Sequence, residues 1–347
     1  MVDNLVGAEW FHSGEGDRYP PTAFKATCSG RSAEPTIALL SEYDALPMGH
    51  ACGHNIIGTA SAAAGIALSE IIKQLPGRVV VLGTPGEEGG GGKILMLERG
   101  AFAGVDAAMM IHPGDQNKTS EKLLAVRRIE VEITGKAAHA AGEPEKGINA
   151  LDALVASYVN ISLLRQHIRS DARIHGIITK GGDASNIVPA FAAGVFGVRA
   201  ADNQYLDELI EKVLACFKAG AQATGASFNY RFVCLSYASM RSNVTMERAF
   251  AQNVRDLGLD ITGDNNPQKA VGSSDIGNVS QVMPSIQPWM AIVDGAGPHT
   301  TEFLSAAVSE RGHTALLNAA KALATTAIDL MMDAELLSNV KAEFEGR

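Results

Sequence analysis

From residue 36 the chain sets short, continuous apolar runs against longer helical ones, and that alternation constrains the fold more than any single residue. Residues 36–40 read as a strand, 56–74 as a helix, 78–82 as a strand, 93–98 as a helix and 106–111 as a further strand. Strands that are apolar throughout need cover on both faces, and helices between them are the crossovers that leave neighbouring strands parallel. The expected fold class is α/β with a mostly parallel-sheet core.

The pattern changes near residue 119. Residues 123–134 alternate Leu, Val and Ile with Arg and Glu, a strand with one wet face; 148–166 are helical, with Ile148, Leu151, Leu154 and Val155 on one stripe. Strands at 174–179 and 194–198, a helix at 205–219 and a strand at 228–233 complete a β-α-β-β-α-β order, the ferredoxin-like unit. The chain then returns to the first pattern, with a helix at 246–257, a strand at 289–293 and a long helix from about Glu310. The expected organisation is a discontinuous catalytic domain, 1–118 with 237–347, carrying an inserted domain at 119–236. Residues 1–35, rich in Gly and Pro around Trp10-Phe11, read as irregular and carry no assignable chemistry.

At 347 residues the chain has room for two domains, and 46% hydrophobic with 19% charged residues describes a globular protein. A net charge of -9 without a basic block argues against nucleic acid and against an anionic membrane surface. Met1-Val2-Asp3-Asn4-Leu5 has neither a basic leader nor an apolar core, so no signal peptide is expected. The apolar run at 56–72 is broken by Thr59, Ser61, Ser69 and Glu70 and reads as a buried helix. Four scattered cysteines show no disulfide framework, which fits a reducing, cytoplasmic setting.

Polar residues gather just past the strands. Asp44, Cys52 and His54 follow the first, Glu87 and Glu88 the second, His112 the third, and Asp294 and His299 the run at 289–293. Ligands of open α/β sheets bind at the carboxyl ends of the strands, so Cys52, His54, Glu88, His112 and His299 are expected to converge. Thiolate, imidazole and carboxylate together suit zinc, with manganese or cobalt as further options. Five protein donors exceed one tetrahedral site, so two divalent metal ions are expected, able to polarise a carbonyl and activate water. With Glu88 on metal, Glu87 is placed to move a proton.

Blander readings stand beside this one. Cys52 could be a reduced thiol among surface histidines, and Glu87-Glu88 a solvated turn. The glycines after Glu88 invite a phosphate loop, but no G-x-G-x-x-G spacing exists and two carboxylates would repel a pyrophosphate. Cys52 as a nucleophile with a histidine base would leave the other donors without a task. His50 reads as a supporting residue, and His12, His167, His175 and His313 have no nameable partner. Met109-Met110 and Met331-Met332 read as packing.

Three segments carry a resemblance: Glu42-Tyr43-Asp44-Ala45-Leu46-Pro47 with Gly49-His50-Ala51-Cys52-Gly53-His54-Asn55, then Pro85-Gly86-Glu87-Glu88-Gly89-Gly90-Gly91-Gly92, and Gly272-Ser273-Ser274-Asp275-Ile276-Gly277-Asn278-Val279-Ser280. From about residue 20 onward the chain resembles the co-catalytic metallopeptidases that include aminoacylases, glutamate carboxypeptidases and auxin-conjugate amidohydrolases. The match is to the branch of aminobenzoyl-glutamate hydrolases and Xaa-Arg (β-alanyl-lysine) dipeptidases. The resemblance implies Cys52, His54, Glu88, His112 and His299 as metal ligands and Glu87 as general base. It implies that the inserted domain is a lid that forms a homodimer and offers His139, from Gly135-Lys136-Ala137-Ala138-His139-Ala140, to the oxyanion. Asn186, in Ser185-Asn186-Ile187-Val188-Pro189, is implied to face substrate, and Arg199 matches a carboxylate-binding arginine. Asn55 stands where the wider family has an acid, and the chain begins almost without the helix and strand that members carry before the region equivalent to residue 20.

The expected activity is metal-dependent hydrolysis of an amide in a small peptide or N-acyl amino acid. The alternative is a non-catalytic, metal-stabilised binding or regulatory relative.

Overall fold

The computed structural model describes residues 9–11, 20–261 and 270–346. The chain divides into two compact units, Met1–Lys122 with Met240–Arg347, and Leu123–Ser239.

In the first unit a six-stranded sheet runs Glu9–Phe11, Phe24–Ser29, Arg78–Thr84, Thr36–Glu42, Ala107–Met109, Ser285–Ile286. Thr36–Glu42 is buried along its whole length between two parallel neighbours, as an apolar run without alternation requires. The stretch expected to be irregular at 1–35 contains Phe24–Ser29, antiparallel to Arg78–Thr84. Its Phe24, Ala26 and Cys28 alternate with Lys25, Thr27 and Ser29, a pattern masked by the Gly and Pro around it. The strand expected at 106–111 is broken as well. Ala107–Met109 stays in the large sheet, and His112–Gly114 pairs with Trp289–Ala291 in a separate two-stranded one. Pro113 and Pro288 lie at the break, and neither has an N–H to continue the ladder.

Helices His54–Ile71 and Glu310–Met332 pack on each other and on strand Thr36–Glu42. Both are long and apolar enough to cross a membrane by composition. In the fold, Ile56, Ile57, Ala60, Ala64 and Leu68 of the first and Ala315, Ala319, Leu323 and Leu330 of the second are buried in the unit.

The second unit is a four-stranded antiparallel sheet, ordered Ser227–Phe232, Ala125–Thr134, Phe191–Ala200, Arg173–Lys180. Along Ala125–Thr134, Ile129, Val131 and Ile133 are buried while Arg128 and Glu132 are exposed. The buried face joins Phe196 and helices Ala150–Leu164 and Asn203–Thr224 in one core containing Leu154, Leu209, Val213 and Phe217. Each helix starts on a polar cap: the Asn149 side chain accepts from Leu151 and Asp152 N–H, and Asp202 from Tyr205 N–H.

Candidate metal centre and active site

Cys52, His54, Glu88, His112 and His299 come together in the first unit. Thr36–Glu42 ends just ahead of Asp44, and Arg78–Thr84 just ahead of Glu87 and Glu88. His112 opens the short strand paired with Trp289–Ala291. Two trios of donors result, Cys52 with His54 and His112, and Cys52 with Glu88 and His299, the donor atoms of each lying within 4.8 Å of one another. Cys52 Sγ is 3.7 Å from His112 Nε2. Glu88 Oε1 is 3.4 Å from His299 Nε2 and 4.0 Å from His54 Nε2.

Backbone conformation builds this arrangement. Gly53 has φ +77°, and a Cβ there would stand 2.4 Å from Pro113 Cγ. Gly53→Ala is therefore expected to cost at least about 1–2 kcal/mol from the left-handed backbone alone, read as a lower denaturant midpoint. Gly92 lets the loop fold back on itself, since a Cβ would fall 1.7 Å from the Pro85 carbonyl oxygen. The glycine run thus serves a tight turn. His299 donates its N–H to the Ala51 carbonyl at 2.8 Å. Its φ of 69° makes it the only non-glycine with positive φ among the described residues, a strain found mostly at functional sites.

The imidazoles are aimed by their second nitrogens. His112 Nδ1 donates to the Pro113 carbonyl at 2.7 Å, which leaves Nε2 bare toward Cys52, and its ring stacks on Trp289 at 4.3 Å. His54 Nδ1 donates to the Asp44 carbonyl at 2.9 Å, with Asp44 Oδ1 at 3.4 Å. Asp44 Oδ2 in turn accepts from Glu88 N–H at 3.0 Å. Metal-binding histidines are commonly fixed in this way.

The residues fit a divalent cation pair. His54 Nε2, Asp44 Oδ1 and Glu88 Oε1 are buried without a hydrogen-bond partner. Burial opposes a charge on His54, yet Glu42 and Asp44 carry its pKa up to about 12, so this spot calls for positive charge. Burial pushes the Cys52 thiol up to about 12; a coordinating cation reverses that direction. Burial, and then the charge of His54, hold His112 down at about 4, as the neutral ligand form.

The two glutamates of the pair diverge. Glu88 joins Cys52 and His299, whereas Glu87 is buried and groups with Glu42 and His54. Burial, then Glu42 and Asp275, hold the Glu87 carboxyl well above the usual carboxylate range.

Sequence reasoning gives no role to Glu42, Lys93, Asp275 and Trp289. Lys93 is fully buried, its ammonium in ion pairs with Glu42 and with Asp275 Oδ1, the latter at 2.7 Å. Its N–H also donates to Asp275 Oδ2 at 2.9 Å. The available signal is one lysine opening the apolar run Lys93-Ile94-Leu95-Met96-Leu97.

His139, Asn186 and Arg199 belong to the second unit. His139 Nδ1 accepts from Ala141 and Gly142 N–H at 3.2 and 3.0 Å, so the proton of the neutral ring sits on Nε2. Ala140 N–H donates to the Asn186 carbonyl at 3.0 Å, which sets these two residues side by side. Arg199 is not with them. It lies at the far end of Phe191–Ala200 from the segment holding Asn186, roughly 26 Å along the strand from Phe191 at ~3.3 Å per residue. There its Nε donates to His175 Nε2 at 3.4 Å.

A sequence model of Peptidase family M20/M25/M40 matches residues 38–325. The chain is 40% identical over 339 residues to the Xaa-Arg dipeptidase of Mus musculus, covering 94% of this chain and 78% of the relative. It is 30% identical over 405 residues to one of the p-aminobenzoyl-glutamate hydrolase subunits of Escherichia coli, covering 94% and 83%. Among solved structures, the Bacillus subtilis YXEP protein, a dinuclear metal binding peptidase from the M20 family, is similar with a TM-score of 0.72 at 19% identity, covering 95% of this chain and 91% of that one. The chain belongs to peptidase family M20/M25/M40, a family of hydrolases.

Proposed function

We propose that this chain hydrolyses an amide bond in a dipeptide or N-acyl amino acid carrying a free carboxylate, with two divalent cations as cofactor. The observation that carries the reading is the pair of donor trios sharing Cys52, with Glu87 buried beside them. Zinc, or manganese or cobalt, supplies polarisation of the scissile carbonyl and a water made nucleophilic near neutral pH. Cys52, His54, His112, Glu88 and His299 hold the ions. Glu87 takes the proton of the attacking water and passes it to the leaving nitrogen. His139, protonated on Nε2, donates to the developing oxyanion, with Asn186 beside it on the substrate. Arg199 stands too far from Asn186 for one small substrate to touch both within a protomer, so a role for Arg199 at the substrate carboxylate requires a second copy.

The second unit, read as a ferredoxin-like lid, offers a surface for that copy. Arg173–Lys180 is an edge strand with Ile177 and Ile178 exposed. On the adjoining helix Val155, Val159 and Leu163 form an exposed stripe, and Tyr158 and Arg165 tie that helix to carbonyls of the strand. Val159→Asp is expected to convert a homodimer to monomers, read by sedimentation. Four free thiols suit a cytoplasmic enzyme.

The test is an assay of dipeptides ending in Arg or Lys, β-alanyl dipeptides, N-acyl amino acids and aminobenzoyl-glutamate, with zinc or manganese added. Turnover on one class, abolished by a chelator and restored by metal, is expected. Chelation is also expected to lower stability, by about 2.7 kcal/mol where free metal had been 100 times its Kd. A purified protein that binds no divalent cation overturns the reading.

A further inference from the structure

Of the five candidate ligands, His112 alone lies face to face with another ring among the described residues. Its imidazole stacks on Trp289, centroid to centroid at 4.3 Å with 26° between the planes. We propose that Trp289 is a positioning residue for the cation site of Cys52, His54 and His112: it sets the plane of the His112 ring and stabilises that ring when it carries an ion. This rests on the reading of the site as a metal centre and gives that centre a supporting residue.

The lone pair of an imidazole nitrogen lies in the plane of the ring, so aiming Nε2 at an ion means fixing both a point and a plane. The hydrogen bond from Nδ1 to the Pro113 carbonyl fixes the point, and the ring can still tilt about it. A flat face laid against the imidazole removes that tilt. The backbone puts the indole there. Trp289 pairs with His112 in register across two parallel strands, which lie about 4.7–4.9 Å apart, so the two side chains leave at the same level. On its other side Trp289 is held by Lys118: its N–H donates to the Lys118 carbonyl at 2.8 Å and its carbonyl accepts from Lys118 N–H at 3.0 Å. Gly114 leaves room for the indole, since a Cβ there would stand 2.7 Å from Trp289 Cε3.

Packing alone does not account for a tryptophan at this place. Its indole N–H is closed to solvent and meets no acceptor among the described residues, a cost that phenylalanine would avoid. What indole adds is the ring face that attracts positive charge most strongly among the aromatic side chains. Bonding to a cation draws positive charge onto an imidazole, so the stack favours the loaded His112 ring over the bare one.

The experiment compares wild-type protein with Trp289→Leu, Trp289→Phe and Gly114→Ala, reading zinc stoichiometry and affinity by chelator competition and the visible spectrum of the cobalt-loaded forms. His112 belongs to one of the two trios that share Cys52, so the effect is expected on one ion. Trp289→Leu, which keeps apolar bulk but loses the flat face, is expected to bind that ion about 10–100-fold more weakly and to change the cobalt spectrum, with the other ion held as before. Trp289→Phe restores a face that attracts positive charge less, so its affinity is expected to fall between those of the leucine variant and wild type. Gly114→Ala pushes on the edge of the indole without changing its chemistry. It is expected to weaken the same ion, and it carries the test should Trp289→Leu fail to fold. Two ions bound by the leucine variant with wild-type affinity and an unaltered cobalt spectrum overturn the proposal and leave the metal centre standing. Equal losses in the leucine and phenylalanine variants do the same, since Trp289 would then supply bulk and no face. A wild type without bound cations removes both.

Discussion

Glu87→Gln is expected to lower kcat by about 10²–10⁴-fold while both cations stay bound. The amide has the shape of the carboxylate but cannot take a proton, so the substitution removes chemistry and little else. Glu87 belongs to neither trio built on Cys52, which is why metal content is expected to survive. Glu88→Gln serves as the contrast: it strips a donor from the Cys52–His299 trio, so affinity for metal falls along with turnover. In Glu87→Gln, kcat and kcat/KM are expected to drop together, the pattern of an interaction made in the transition state. Full turnover with an unchanged metal content would show that another group moves the proton.

The residues readable from sequence share a property. Cys52, His54, Glu88, His112 and His299 each follow an apolar strand or a turn, and parallel topology brings such positions to one edge. Local pattern is enough there, because residues 36–40 and 78–82 could hardly be anything other than covered strands. It fails where the deciding partner is remote. Lys93 and Asp275 are 182 residues apart in sequence and Lys93 and Glu42 are 51 apart, so the lysine looks like an ordinary first-turn charge. Asp275 lies within a recognisable motif yet has no legible task, for the same reason. Phe24–Ser29 is lost because its alternation is weak and its cover comes from Arg78–Thr84, far along the chain. The break at His112 depends on prolines on two segments, only one of which adjoins it. Arg199 shows the limit of residue matching, since a motif carries identity but not the distance of a strand's length that separates it from Asn186.

Lys93→Met is expected to destabilise the fold by about 3–5 kcal/mol, because it removes one partner of a buried ionic cluster and leaves the others uncompensated. The ammonium is fully buried, and its two carboxylates come from the end of Thr36–Glu42 and the start of helix Ile276–Ser280. The deficit is expected to depend on pH, and Asp275 sets the sign. Burial already raises its pKa in the native protein, and Lys93 is the group that pulls it back. Without the lysine the folded pKa rises further above an unfolded value of about 3.9. A carboxyl of that kind favours the fold fully below its unfolded pKa, and the benefit disappears as pH rises through the folded value. The variant is therefore expected to fall further behind the wild type at about pH 8 than at about pH 5, as read from urea midpoints. Adding Asp275→Asn removes a charge that the lost lysine had balanced, so the double variant is expected to cost less than the sum of the two single ones, with a coupling of about 0.5–3 kcal/mol. Additive losses that ignore pH would mean that Lys93 fills space in this core without holding its charges in place.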